Sequence, residues 1–301
     1  MANLSTIYNL VKCGSDSVLG TGTKGCNQFL KKASSIWLHP KGFKYDGDET
    51  LDEEYVQQMQ AEGNLIILKG LNTFADNSSE DIIETLEDGT KQVATLGLYE
   101  FAVQFVKGLG FHAALHSLNS YDSYDAVFVD RDGNIFGTTA SDGSFKGFSV
   151  GMIQGNKLGW ASDSTGQKTG LMFQLTNRAE LDINYIYIQQ KQLGTYYPQN
   201  QDGINEVVLE FDSAPEALGT TVTATAKNKS NNQPWTGGES ADFELTQNGV
   251  VLAQTVVETA GTYVFTVAAL VAADVITVSV NGVINKDGDL YKSAVVTSVT
   301  I

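Results

Sequence analysis

Side chains able to do chemistry are scarce in this chain of 301 residues. It has three histidines, His39, His112 and His116. In His112-Ala-Ala-Leu-His116 the spacing puts two imidazoles on one helical face, where they could share a metal ion. The zinc-protease pattern needs a Glu directly after the first His as general base, and Ala113 stands there. The pair therefore reads as two partly buried polar positions. Asp130-Arg-Asp-Gly-Asn134 opens like a calcium loop, which requires Gly at its sixth position and Glu at its twelfth. Here Gly133 is fourth and Ser141 twelfth, so a hairpin turn is expected. Gly20-Thr-Gly-Thr-Lys-Gly25 has the glycines of a phosphate loop in the wrong order, with Lys24 before the last Gly and Cys26 where Lys belongs.

Carboxylates are plentiful but scattered in turns, and no pair stands out as the acid and base of a glycosidase. The acidic run Asp46, Asp48, Glu49, Asp52, Glu53, Glu54 leads into Leu51–Glu62. Thr50 followed by Glu53 is a capping-box pattern, so the run reads as a helix start with acids favoured by the dipole, rather than a cation site. The three histidines form no recognisable triad. No catalytic, cofactor-binding or metal-binding residue is assigned, and no enzymatic activity is expected. Cys13 and Cys26 are compatible with a disulfide but read more readily as free thiols of a protein made in a reducing cytoplasm.

The surrounding elements are mostly strands. Ile82–Leu86 and Lys91–Ala94 flank a Glu-Asp-Gly-Thr turn and form a hairpin. Leu98, Phe101, Ala102, Phe105, Val106 and Leu109 follow a helical spacing, so one amphipathic helix is expected over 96–118, anchored to the sheet by Leu98, Phe101, Phe105 and Leu109, with Gly108 and Gly110 as candidate breaks before a second helical piece, Phe111–Leu118. Strands follow from 125 to 176, and Tyr185–Ile188 is apolar throughout. Residues 1–198 are read as one domain, 199–203 as a linker and 204–301 as a second domain. In the second, Thr221–Ala226, Asp242–Thr246, Tyr263–Val267, Val275–Val280 and Ala294–Ile301 alternate with period two, which predicts an antiparallel sandwich. The stretch Tyr263–Val280 is broken by Asp274 and reads as two strands around an Ala-Ala-Asp turn, not a membrane span.

Composition agrees. Gly is frequent (30) and Pro rare (4), which suits sheets joined by tight turns. The net charge is −16. Residues 204–301 carry four Lys against eleven acids, and both domains are acidic, so neither is expected to grip nucleic acid or an anionic membrane. Met1-Ala-Asn-Leu-Ser-Thr lacks a basic stretch followed by an apolar core, so no secretion signal is expected there.

Two resemblances follow. Ala260-Gly-Thr-Tyr-Val-Phe-Thr-Val267 resembles the start of strand F in an Ig-like domain, where a tyrosine hydroxyl ties back to the preceding corner. Tyr263 is the matching core residue. In element order, hairpin then helix then strands, the first domain resembles the tube-forming proteins of phage tails. Those curl an antiparallel sheet into a ring wall with a helix packed outside, and long-tailed phages often display a C-terminal Ig-like domain.

The resemblance implies a mainly β chain: an N-terminal antiparallel β-sandwich or barrel with one packed helix, then an Ig-like β-sandwich. It implies a virion structural protein, made in the host cytoplasm and located in the tail. Its subunits would self-assemble into stacked rings, contact other virion proteins and let phage DNA pass through the lumen without specific binding. Loops 14–25 or 139–146 would order between rings. The alternatives are a capsid decoration or head-fibre protein, or an adhesion protein binding host surface glycans through 204–301, with Trp235, Tyr196 and Tyr197 as stacking platforms.

Overall fold

The computed structural model describes residues 3–5, 7, 31–163 and 166–301. Cys13, Cys26 and the glycine-rich 14–25 stretch fall outside the described residues. The chain is mainly β, with several sheets, one of them a curled half-barrel, and few helices. It divides into Met1–Gln201 and Asp202–Ile301.

The first unit is built on a ten-stranded sheet. Its strands are β1 (Ala33–Pro40), β2 (Ile66–Lys69), β3 (Leu71–Asp76), β6 (Glu100–Phe105), β7 (Ser120–Asp130), β8 (Ile135–Thr139), β9 (Phe145–Lys146), β10 (Phe148–Gly155), β11 (Thr169–Leu175) and β12 (Tyr185–Ile188). The main path runs β12-β8-β7-β10-β11-β6-β3, with β1 joining β7 to β2 and β9 joining β8. A separate two-stranded sheet holds β4 (Ile82–Thr85) and β5 (Lys91–Thr95). Among the described residues the unit also holds the α-helices α1 (Glu53–Ala61), α2 (Leu109–Ser117) and α3 (Arg178–Asp182).

Central strands are covered on both faces. In β7, Ala126 and Phe128 enter one core while Val127 and Val129 enter another. In β12, Tyr187 joins the first core and Ile186 and Ile188 the second. Successive side chains of a strand point to opposite faces, so a strand covered twice must be apolar throughout. That is why Ala126–Val129 and Tyr185–Ile188 do not alternate.

The expected helix over 96–118 is corrected in its first half, while its second piece, Phe111–Leu118, falls in helix α2 and its cap. Phe101 and Phe105 lie in strand β6, where Phe101, Val103 and Phe105 are buried and the residues between them are half-buried. A spacing of four fits both a helical turn and two strand repeats, so the two phenylalanines satisfy either period. Val103, β-branched and on the same strand face, belongs to the strand pattern alone. Leu98 precedes the strand in a half-buried loop, and Leu109, the first residue of α2, is 63% exposed. Neither anchors a helix. Helix α2 instead packs through Phe111, Leu115 and Leu118. Helix α1 is capped by Asp52, which accepts from Tyr55 N at 3.0 Å, rather than by Thr50.

The second unit is a two-sheet sandwich. One sheet has the order β17 (Thr255–Thr259), β18 (Thr262–Thr266), β14 (Thr221–Asn228), β13 (Ile204–Phe211), β21 (Asp289–Ser293), β20 (Ile284–Lys286). The other runs β16 (Val250–Val251), β15 (Phe243–Gln247), β19 (Val275–Val280), β22 (Val296–Val299). Pairing is antiparallel except for β13 with β21, which is parallel. Strands β18 and β19 flank the Ala-Ala-Asp turn but belong to different sheets. Asp274 closes that turn, accepting from Val271 N at 2.9 Å. Residues 199–201 are not a free linker: Pro198 and Gln201 are buried, and Lys69 Nζ donates to Asn200 O at 2.8 Å.

Candidate assembly site: the β4–β5 arm and its root

Every residue of β4 and β5 is exposed. The two strands pair with each other and, among the described residues, with no third strand. Their turn is built from local chemistry: Asp88 Oδ1 accepts from Thr90 N at 2.9 Å, and Gly89 takes φ +83°, which a side chain would oppose. The surface is unexpectedly apolar. Ile82, Ile83, Val93 and Leu96 are 52–61% exposed and Leu86 is 40% exposed. Ile83 faces Val93 directly across the pair. A lone two-stranded hairpin is at best marginally stable in water. An apolar one is a surface awaiting cover.

The arm continues the last pair of the main sheet. Strand β3 ends the path beside β6, and the chain leaves β3 for the arm and returns through β6. Asn77 N donates to Glu100 O at 2.8 Å and Ser79 N to Leu98 O at 3.2 Å, so the ladder extends into the root. Asp81 Oδ1 accepts from Gly97 N at 2.8 Å. A Cβ at Gly97 would fall 1.9 Å from Ser79 O, so the two backbones meet only because that residue is glycine. Arg178 forks between two carboxylates, Asp81 and, at 2.7 Å, Asp182 of α3. The Gly97 amide and then Arg178 hold the Asp81 carboxyl below the usual carboxylate range. The root is thus fixed while the arm it carries is unsupported.

The other candidates resolve into structure. Asp130 serves its own turn and β12: Oδ1 accepts from Asp132 N and Asn134 N, and Oδ2 from Asn134 Nδ2 at 2.8 Å and from the Tyr187 hydroxyl at 3.4 Å. No group of three or more potential metal ligands occurs among the described residues. Trp235, a candidate stacking platform, is buried at 3% exposure against Phe243 and Tyr263, and Tyr196 is buried as well. Of the three glycan platforms only Tyr197 is exposed. Tyr263 is fully buried, but its hydroxyl does not tie back to the preceding corner. It donates to Trp235 O at 3.0 Å and accepts from Gly238 N at 3.2 Å, pinning the loop before β15.

Sequence reasoning missed a Gly-x-Ser-x-Gly spacing at Gly147-Phe148-Ser149-Val150-Gly151. In hydrolases that spacing puts the serine on a strained strand-to-helix turn. Here it runs into extended β10, with Ser149 in register with Asp125 of β7. The glycines serve packing: a Cβ at Gly147 would lie 2.8 Å from Ala126 N, and one at Gly151 2.5 Å from Thr176 Cγ2. Ser149 Oγ donates to Glu180 Oε1 at 3.0 Å, and Lys146 Nζ donates to the same carboxylate at 2.9 Å. The serine thus helps fasten α3 to β10.

No protein-family model matches the chain, and no curated protein matches it either. Among the described residues no helix is long and apolar enough to cross a membrane.

Proposed function

We propose that this chain is a self-assembling structural subunit, and that the assembly is the tube of a phage tail. The observation carrying the proposal is the β4–β5 arm, an apolar ribbon at the edge of a curled antiparallel sheet. Fully burying an exposed Ile, Leu or Val side chain is worth about 1.5–3 kcal/mol, so covering the exposed parts of these five favours association. A sheet that ends in a free strand gains by pairing with the next subunit, since ring closure removes edges. In this reading copies of Met1–Gln201 form stacked rings with other virion proteins at their ends. The sandwich of Asp202–Ile301 is an Ig-like decoration. The acidic surface lets DNA slide through without stable phosphate contacts.

The test is negative-stain electron microscopy at rising concentration, comparing wild type with Ile83→Lys/Val93→Lys. Wild type is expected to form rings or hollow tubes. The variant is expected to remain monomeric with stability within about 0.5 kcal/mol per substitution, because both sites are exposed. Wild type that stays monomeric at every concentration, or a variant that assembles as well as wild type, rejects the proposal. A capsid decoration or glycan-binding role would then be the next reading to test.

A further inference from the structure

We propose that His112 and His116 form a proton-sensitive latch holding α2 on the β10–β11 hairpin. The two rings meet edge to face with centroids 4.5 Å apart. A carbonyl can only accept, so His116 Nε2–H donates to Asn156 O at 3.1 Å. In the neutral ring this leaves Nδ1 as an acceptor, 3.4 Å from the Nδ2 of Asn119. The orientation of Asn119 is fixed by its other end, where Oδ1 accepts from Gly155 N at 2.6 Å. His112 Nδ1 lies 2.7 Å from Thr169 Oγ1. The His116 ring rests on Gly155, where a Cβ would sit 3.1 Å from the ring atoms. One helix thereby grips the end of β10 and the start of β11. The loop between them carries Trp160, 85% exposed.

A proton on His116 breaks this arrangement. Nδ1–H would face the NH₂ of Asn119, donor against donor. Turning the Asn119 amide would satisfy the imidazolium but present NH₂ to the Gly155 N–H. Asn119 can serve neutral His116 and Gly155 together, but not cationic His116 and Gly155. Charge acts in the same direction, because two cations 4.5 Å apart repel. Among the described residues of the packed elements, nothing offsets them. Helix α2 has no other charged residue, and β10 and β11 have none. Strand β6 packs through Phe105 on Phe111, and its one charged residue, Glu100, is at the strand's other end. Flanking Lys107, Lys157 and Lys168 are cationic, and Asp163 lies farther out on the loop. The latch is independent of the assembly reading.

The test is hydrogen exchange read by mass spectrometry, expressed as protection factors over 109–119 and 153–170. The comparison is made between about pH 7.5 and about pH 5, the range in which imidazole side chains change charge. Wild type is expected to lose more protection in these two segments than in β1 and β7 at the lower pH. Asn119→Asp is expected to keep it, because a carboxylate accepts from Gly155 N–H and from cationic His116 alike. Equal wild-type protection at both pH values overturns the latch, as does equal loosening of Asn119→Asp. Failure here leaves the assembly proposal standing, since the arm is elsewhere on the unit.

Discussion

His39 shows how a single residue sets a pH dependence. It is fully buried, with Nδ1–H donating to Asn64 O at 2.7 Å and Nε2 accepting from the Tyr45 hydroxyl at 2.7 Å. Burial pushes its pKa down to about 4, against about 6.5 in an unfolded chain. Between those values the unfolded state holds a proton that folding must expel, so stability falls as pH drops through the window. The share that His39 governs is complete above about pH 6.5 and lost by about pH 4, a difference of about 3 kcal/mol. Asp125 acts in the opposite sense: burial raises its carboxyl, and the folded state holds that proton the more tightly. Comparing wild type with His39→Gln by urea unfolding across this pH range isolates the histidine. The variant should show the shallower acid loss, and identical slopes would contradict the assignment. Nothing in Leu38-His-Pro40 announces this role, because it depends on Tyr45 and Asn64 arriving from other elements.

At the scale of elements, periodicity identified most strands and failed once. Phe101 and Phe105 read equally as one helical face or one strand face, and β6 takes the second option because β3 and β11 pair with it on both sides. Phe105→Ala should still cost about 3–5 kcal/mol, now as a cavity in the sheet's core beside Phe111. Thermal or denaturant unfolding measures it, and a loss below about 1 kcal/mol would mean that the core closes around the gap. The arm was legible as a hairpin from its Asp-Gly turn. Its isolation was not, because alternation of Ile, Glu and Thr looks the same whether or not a partner covers the apolar face.

For the whole molecule, the division into two units has a direct consequence. Asp202–Ile301 has its own core of Val207, Leu209, Trp235, Phe243, Leu245, Tyr263 and Phe265, among others. About one hundred residues suffice for a cooperative fold. Expressed alone, 202–301 should unfold in a single transition with a near-ultraviolet signal from packed Trp235 and Tyr263. A gradual transition without that signal would show that the first unit is needed. The sequence by itself determined the mainly β class, a boundary within a few residues of the division after Gln201, and the turns. Those features depend on local period, turn chemistry and residue inventory. Only the tertiary structure decided that 100–105 is a strand, that Trp235 is core, that Ser149 is a fastening and that the arm is bare. Each of these turns on which distant segment covers a residue, and burial is a property of the neighbours rather than of the local sequence.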